Sequence, residues 1–130
     1  MSLSPRLAAV VEGARSKKAL HIRLIDVSAV ASFADTFAFM SGSSDRQNRA
    51  IADAVEETLR LQGERVISRE GEAQGHWILL DYGDLIIHVM DEETRRFYHL
   101  EDLWKQGREL ELPPEAVHPA SQDNPATEPA

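Results

Sequence analysis

Between Trp77 and Met90 the chain reads Trp-Ile-Leu-Leu-Asp-Tyr-Gly-Asp-Leu-Ile-Ile-His-Val-Met, two apolar runs divided by four turn-forming residues. Runs of this length bounded by Asp and Gly predict a β-hairpin pairing residues 77–80 with 85–90. Gly83 can take the positive φ that such a tight connection demands. Side chains alternate across a strand, so Trp77 shares a face with Leu79 and Asp81 while Ile78 and Leu80 point the other way. At least one large apolar group therefore lies on a face that also carries charge.

The rest of the chain supplies elements around this hairpin. Ser4 as N-cap and Pro5 at the first helical position, followed by Leu7, Val10, Val11 and Ala14, predict a first helix ending near Lys17 and Lys18. Leu20, Ile22 and Leu24 alternate with His21, Arg23 and Ile25, a period-2 pattern that predicts a strand closing near Asp26. Phe37, Phe39 and Met40 give residues 36–40 the aromatic content of a second, buried strand. Ser44 followed by Gln47 matches a capping box. It opens a long helix whose stripe of Ala50, Ile51, Ala54, Val55, Thr58 and Leu59 faces a core, and Gly63 closes it. A further strand is expected around Val66 and Ile67, and a short helical segment after Asp91, Glu92 and Glu93 carries Phe97, Tyr98, Leu100, Leu103 and Trp104.

The expected fold is thus α/β (α+β), a mixed sheet of about five strands flanked by helices in a single domain over residues 1–110. Residues 111–130 contain Glu111, Glu115, Asp123 and Glu128, no Lys or Arg, and repeated prolines from Pro113 onward. Such an acidic, Pro-rich and apolar-poor segment is expected to be a disordered tail. The chain has 130 residues, and its formal charge of −8 argues against a general nucleic-acid binder, which needs clustered Lys and Arg. It has no cysteine, hence no disulfide, thiolate metal site or cysteine nucleophile. No run approaches the ~20 apolar residues of a membrane helix. The apolar cluster of residues 7–11 is closed by Glu12 and too short for the core of a secretion signal, so a cytoplasmic protein is expected.

Candidate chemistry is sparse. Ser41-Gly42-Ser43-Ser44 lies between a strand and a helix, where backbone N–H groups can cradle phosphate, but it lacks the Lys of a P-loop and the glycine spacing of a dinucleotide fingerprint. Asp81 and Asp84 flank a turn, where Asp is favoured for local hydrogen bonds. His76, His88 and His99 lack the i, i+4 spacing of a helical zinc site, and no nucleophile elbow is present. No cofactor, metal or catalytic role is expected. Trp77, Tyr98 and Trp104 instead combine apolar area with a polar tip, the character of residues that dominate binding surfaces.

Several segments together resemble the Iojap-like ribosomal silencing factors. These are Asp35-Thr36-Phe37 leading to Ser41-Gly42-Ser43-Ser44-Asp45-Arg46-Gln47, then Gly75-His76-Trp77 through Asp84, His88-Val89, and Phe97-Tyr98-His99-Leu100-Glu101-Asp102-Leu103-Trp104. The likeness spans residues 5–105. It implies a nucleotidyltransferase-like mixed sheet without that fold's catalytic carboxylates. It also implies a translational repressor that binds the large ribosomal subunit through its protein uL14 and blocks the small subunit by bulk alone. Trp77, Tyr82, His88, Tyr98 and Trp104 are the expected contact residues. The acidic run Asp91, Glu92, Glu93 with Glu101 and Asp102 is expected to attract a basic partner. Self-association into a homodimer through the same surface is a further expectation. The rival reading is a nucleotide-binding enzyme using Gly42-Ser43 and the Asp81, Asp84 pair.

Overall fold

The computed structural model describes residues 3–99, 102 and 105–115. In chain order the elements are α1 (Pro5–Ser16), β1 (Leu20–Asp26), β2 (Thr36–Gly42), α2 (Asp45–Leu61), β3 (Ser68–Glu70), β4 (Trp77–Asp81), β5 (Leu85–Asp91), α3 (Glu92–Tyr98) and β6 (Arg108–Leu110). The strands form one mixed sheet in the order β3-β4-β5-β2-β1-β6, in which only the β2–β5 pair is parallel.

Local chemistry explains where these elements start. Ser4 caps α1 by accepting from Leu7 N. The Ser44 hydroxyl caps α2 by accepting from Gln47 N at 3.0 Å. The reciprocal arm of the expected capping box differs, because Gln47 Oε1 accepts from Ser43 N and Oγ, one residue further back. The 77–90 hairpin forms as the turn residues require, with Tyr82 N donating to Leu85 O, Gly83 at φ 87° and Asp81 accepting from Gly83 N.

Both long helices cover one face of the sheet. Val10, Val11 and Ala14 of α1 and Ile51, Ala52, Val55 and Leu59 of α2 bury against Leu24, Ala38, Met40, Ile78, Leu80, Ile87 and Val89. The helices approach closely at Gly13, where a Cβ would meet Ala54 O and Val55 Cα at 2.8 Å, and Thr58 Oγ1 donates to Ala9 O there. Arg69 ties β3 to α2 through Asp53 and Glu56, each at 2.8 Å.

The structure departs from the expectation at four places. The sheet has six strands rather than about five, because Arg108–Leu110 pairs with the outer edge of β1. The strand expected around Val66 and Ile67 begins at Ser68, leaving the Ile67 side chain exposed. It stops at Glu70 because Gly71 turns at φ 85° against Trp77 O, where no Cβ fits. In α2 the buried stripe includes Asn48 and Ala52, and Asn48 Nδ2 donates to Gly75 O at 2.8 Å. Leu112 packs against the helix-covered core and Pro113 is half-buried, so chain order continues past residue 110. Residues 116–130, the greater part of the expected disordered tail, lie outside the described residues.

Candidate partner-binding face

The face of the sheet turned away from α1 and α2 is partly covered, by α3 and by residues 27–35. The strand register sets its rows: Leu79, His88, Phe39 and Arg23 lie side by side across β4, β5, β2 and β1. Asp81, Ile86, Phe37 and Ile25 form the next row. At one end α3 lies against β5 and β2, where Arg95 Nη1 donates to the buried Ser41 Oγ at 2.8 Å. At the other, residues 27–35 fold back so that Val27 and Ala34 pack with Phe37 and Phe39.

Between these ends runs a continuous series of rings. Phe33 lies 5.9 Å from Phe37, Phe37 lies 5.7 Å from His88, His88 stacks on Phe39 at 4.9 Å, and Trp77 follows at 6.0 Å from His88. Tyr98 lies 5.0 Å beyond Trp77, and Phe97 meets Tyr98 edge-on at 4.9 Å. The middle of the series is buried, whereas its ends are open: Phe33 is 61% exposed, Tyr98 52% and Phe97 76%. An apolar stretch with buried support and open aromatic ends has the make-up of a protein-docking surface.

His88 holds the centre. It is 6% exposed, and burial pushes its imidazole down from 6.5 to about 4, so it is neutral at neutral pH. Trp77 Nε1–H donates to His88 Nδ1 at 3.1 Å, which assigns the His88 proton to Nε2.

Of the five residues expected at the contact, the fold brings together Trp77, His88 and Tyr98. Tyr82 does not join them. It is 6% exposed in the helix-covered core, on the opposite face, and burial with Glu56 and Glu64 nearby pushes its hydroxyl up to about 12. Trp104, with Leu100, Glu101 and Leu103, lies outside the described residues. Phe33, which sequence reasoning missed, belongs to the face. Its only signal was a bulky aromatic placed in a loop of small and acidic residues.

The acidic run is largely spent within the fold. Asp91 caps α3 by accepting from Thr94 N and Glu92 pairs with His21, while Glu93 and Asp102, the latter 3.4 Å from His99, are exposed. The groups weighed for chemistry are occupied too. Asp84 accepts from Arg6 at 2.7 Å, which holds its carboxyl below the usual range, and Asp81 accepts from the hairpin turn. Gln47 takes the donors of Ser43, so the Gly42-Ser43 turn is closed on itself. Among the described residues no three His, Asp or Glu side chains are grouped to hold a metal ion, and no helix is long and apolar enough to cross a membrane.

The fold is an α/β domain with one face packed by two long helices and an opposite face carrying a ring series whose ends are exposed. The family described as "Ribosomal silencing factor during starvation" matches residues 2–130. The chain is 32% identical to the ribosomal silencing factor RsfS of Halalkalibacterium halodurans, over 86% of this chain and 96% of that protein. It is 31% identical to the mouse protein named mitochondrial assembly of ribosomal large subunit protein 1, over 69% of this chain and 41% of the mouse protein. The crystal structure of protein CV0518 from Chromobacterium violaceum superposes with a TM-score of 0.76 at 29% identity, covering 92% of this chain and 98% of that one. The chain belongs to the ribosomal silencing factor family, which is named for regulation rather than for catalysis.

Proposed function

We propose that this protein represses translation by binding the large ribosomal subunit through its protein uL14, with the open aromatic face as the contact, and that its bulk then excludes the small subunit. The observation that carries this reading is the Phe33 to Phe97 series of rings on the sheet face opposite α1 and α2, with both ends of the series exposed. Family membership supports a ribosomal target, and the mouse relative's name refers to large-subunit assembly. Trp77 and Tyr98 supply anchoring area, and His88 supports them from beneath. Obstruction needs no chemistry, which agrees with carboxylates engaged in structural hydrogen bonds. The same face closes on a second copy of the chain at high concentration, so that self-association competes with docking.

The experiment is co-sedimentation with isolated large and small subunits, and with isolated uL14. Wild type pellets with the large subunit alone. Trp77→Ala, which removes a central anchor, binds at least about thirty-fold more weakly, the effect of losing about 2 kcal/mol at a hot spot. Trp77→Ala and Tyr98→Ala variants that fold and bind at wild-type strength would refute the assignment of the face.

A further inference from the structure

At least half of the chain's fourteen Lys and Arg residues, Arg15 and Arg23 among them, lie within ion-pair distance of a carboxylate. Arg6, Arg49, Arg60, Arg69 and Arg108 also belong to this set. Besides Arg65 and Lys105, four exposed cations form no ion pair among the described residues: Lys17, Lys18, Arg46 and Arg96.

The fold places these four at one end of the molecule. Helix α1 stops at Ser16 with Lys17 as its C-cap, and Lys18 follows in the left-handed conformation at φ 60°. Gln47 Nε2 donates to the carbonyls of Lys17 and Lys18 at 3.0 and 3.3 Å, which fixes both lysines beside the first turn of α2, where Arg46 stands. Three residues after Lys18, His21 pairs with Glu92, and His21 and Arg96 line one open depression of about 340 Å³. Of the acids at this end Asp45 pairs with Arg49 at 3.5 Å and Glu92 with His21, while Glu93 of α3 is exposed and Asp102 lines the depression beside His99. Gly42 and Asp91 are register partners here, so this end adjoins the α3 side of the aromatic face.

Lys18 is a costly way to end a helix. Its N–H donates to Arg15 O and that of Ala19 to Ala14 O, the arrangement in which Gly63 closes α2. An L side chain in this left-handed position forgoes stability that glycine would provide.

We infer that Lys17, Lys18, Arg46 and Arg96 form a basic band that contacts the phosphodiester backbone of ribosomal RNA when the aromatic face is docked on its protein partner. The inference rests on the ribosomal reading above. A chain of charge −8 is repelled by RNA as a whole, so a localised band at the rim of the docking face orients the protein as well as holding it. Phosphate is favoured over an acidic protein because a ribosomal subunit presents phosphodiester backbone around its surface proteins, which are themselves basic.

The test is co-sedimentation with purified large subunits between 50 and 200 mM salt, a range of about the width over which phosphate contacts show strong salt dependence. It compares wild type, Lys18→Gly alone, and Lys17→Gln, Lys18→Gly, Arg46→Gln and Arg96→Gln together. The combined variant is expected to bind at least about tenfold more weakly at the low-salt end, with a log–log salt slope shallower by about 3, as the loss of four phosphate contacts implies. Its affinity for isolated, RNA-free uL14 stays at the wild-type value. Lys18→Gly melts at or above the wild-type temperature yet binds subunits more weakly, which separates binding from folding. An unchanged salt slope overturns the band, and so does an equal loss of affinity for isolated uL14, which would make it a protein contact. Failure of the wild type to pellet with the large subunit overturns the ribosomal reading itself.

Discussion

Trp77 and His88 are joined across the β4–β5 pair by a hydrogen bond from the indole N–H to imidazole Nδ1, 3.1 Å long, with the imidazole ring stacked on Phe39. Protonating His88 would put a proton where the indole donates and a charge where the site is dry. Its pKa in the fold, about 4, lies below the ordinary 6.5, so the unfolded chain binds more protons between these values. The stability His88 contributes is complete above pH 6.5 and is lost as pH falls toward 4, at up to about 1.4 kcal/mol per pH unit. Urea melts across this window should give a steeper decline for wild type than for His88→Gln, which keeps an acceptor but does not titrate. Asp26, held low chiefly by Ser28, and Asp84, held low by Arg6, act at lower pH and leave the comparison clear.

Phe33 offers a test of how far the docking face extends. It is largely exposed at the end of the series and touches Phe37. Phe33→Ser is expected to leave thermal stability within about 0.5 kcal/mol, as surface changes usually do. It should weaken large-subunit binding by about tenfold, or about 1.4 kcal/mol. Parallel melting and sedimentation measurements check both halves.

Gly13 sits where α1 and α2 meet, against backbone atoms of Ala54 and Val55 that cannot swing aside. Gly13→Ala, a change that ordinarily favours a helix, is therefore expected to destabilise the protein by about 1–3 kcal/mol through overpacking. A denaturant midpoint at or above the wild-type value would contradict this close approach.

The C-terminal segment divides at a definite place. Leu112 packs on the core and Glu115 approaches Arg15 to 3.8 Å, whereas the acidic tail beyond plays no part in the proposed contact. Truncation after Glu115 is expected to change neither melting temperature nor subunit binding. Truncation after Leu110 removes Leu112 and should lower stability by about 1 kcal/mol, less than the ~1.5–3 kcal/mol of a fully buried leucine because Leu112 is only partly buried.

The hairpin, the caps at Ser4 and Ser44 and both long helices were legible because each rests on neighbours in sequence. Strand β6 was not: three residues with two charges carry little pattern, and they become a strand only because β1 offers a free edge. Tyr82, whose residue type suits an interface, lies instead in the helix-covered core, where strand parity places it. Ile78, Leu80 and Tyr82 share one parity and Trp77 and Leu79 the other, an alternation that residue type does not override. His88 could be named from the sequence, but its bond to Trp77 depends on the register that sets Leu79 opposite it. Phe33 reaches the face through the fold of a loop, which no periodicity encodes.

The central parallel pairing of β2 with β5 also sets an order of events during synthesis. Phe39 and His88 stack although α2, β3 and β4 separate them along the chain. A nascent chain that has released only α1, β1, β2 and α2 holds two of the six strands, with the β2 edge that pairs with β5 still free. The aromatic surface exists only once β5 has left the exit tunnel and paired. On the ribosomal reading, the growing protein therefore lacks its full grip on a ribosome, including the one making it, until Tyr98 of α3, about three-quarters of the way along the chain, has emerged.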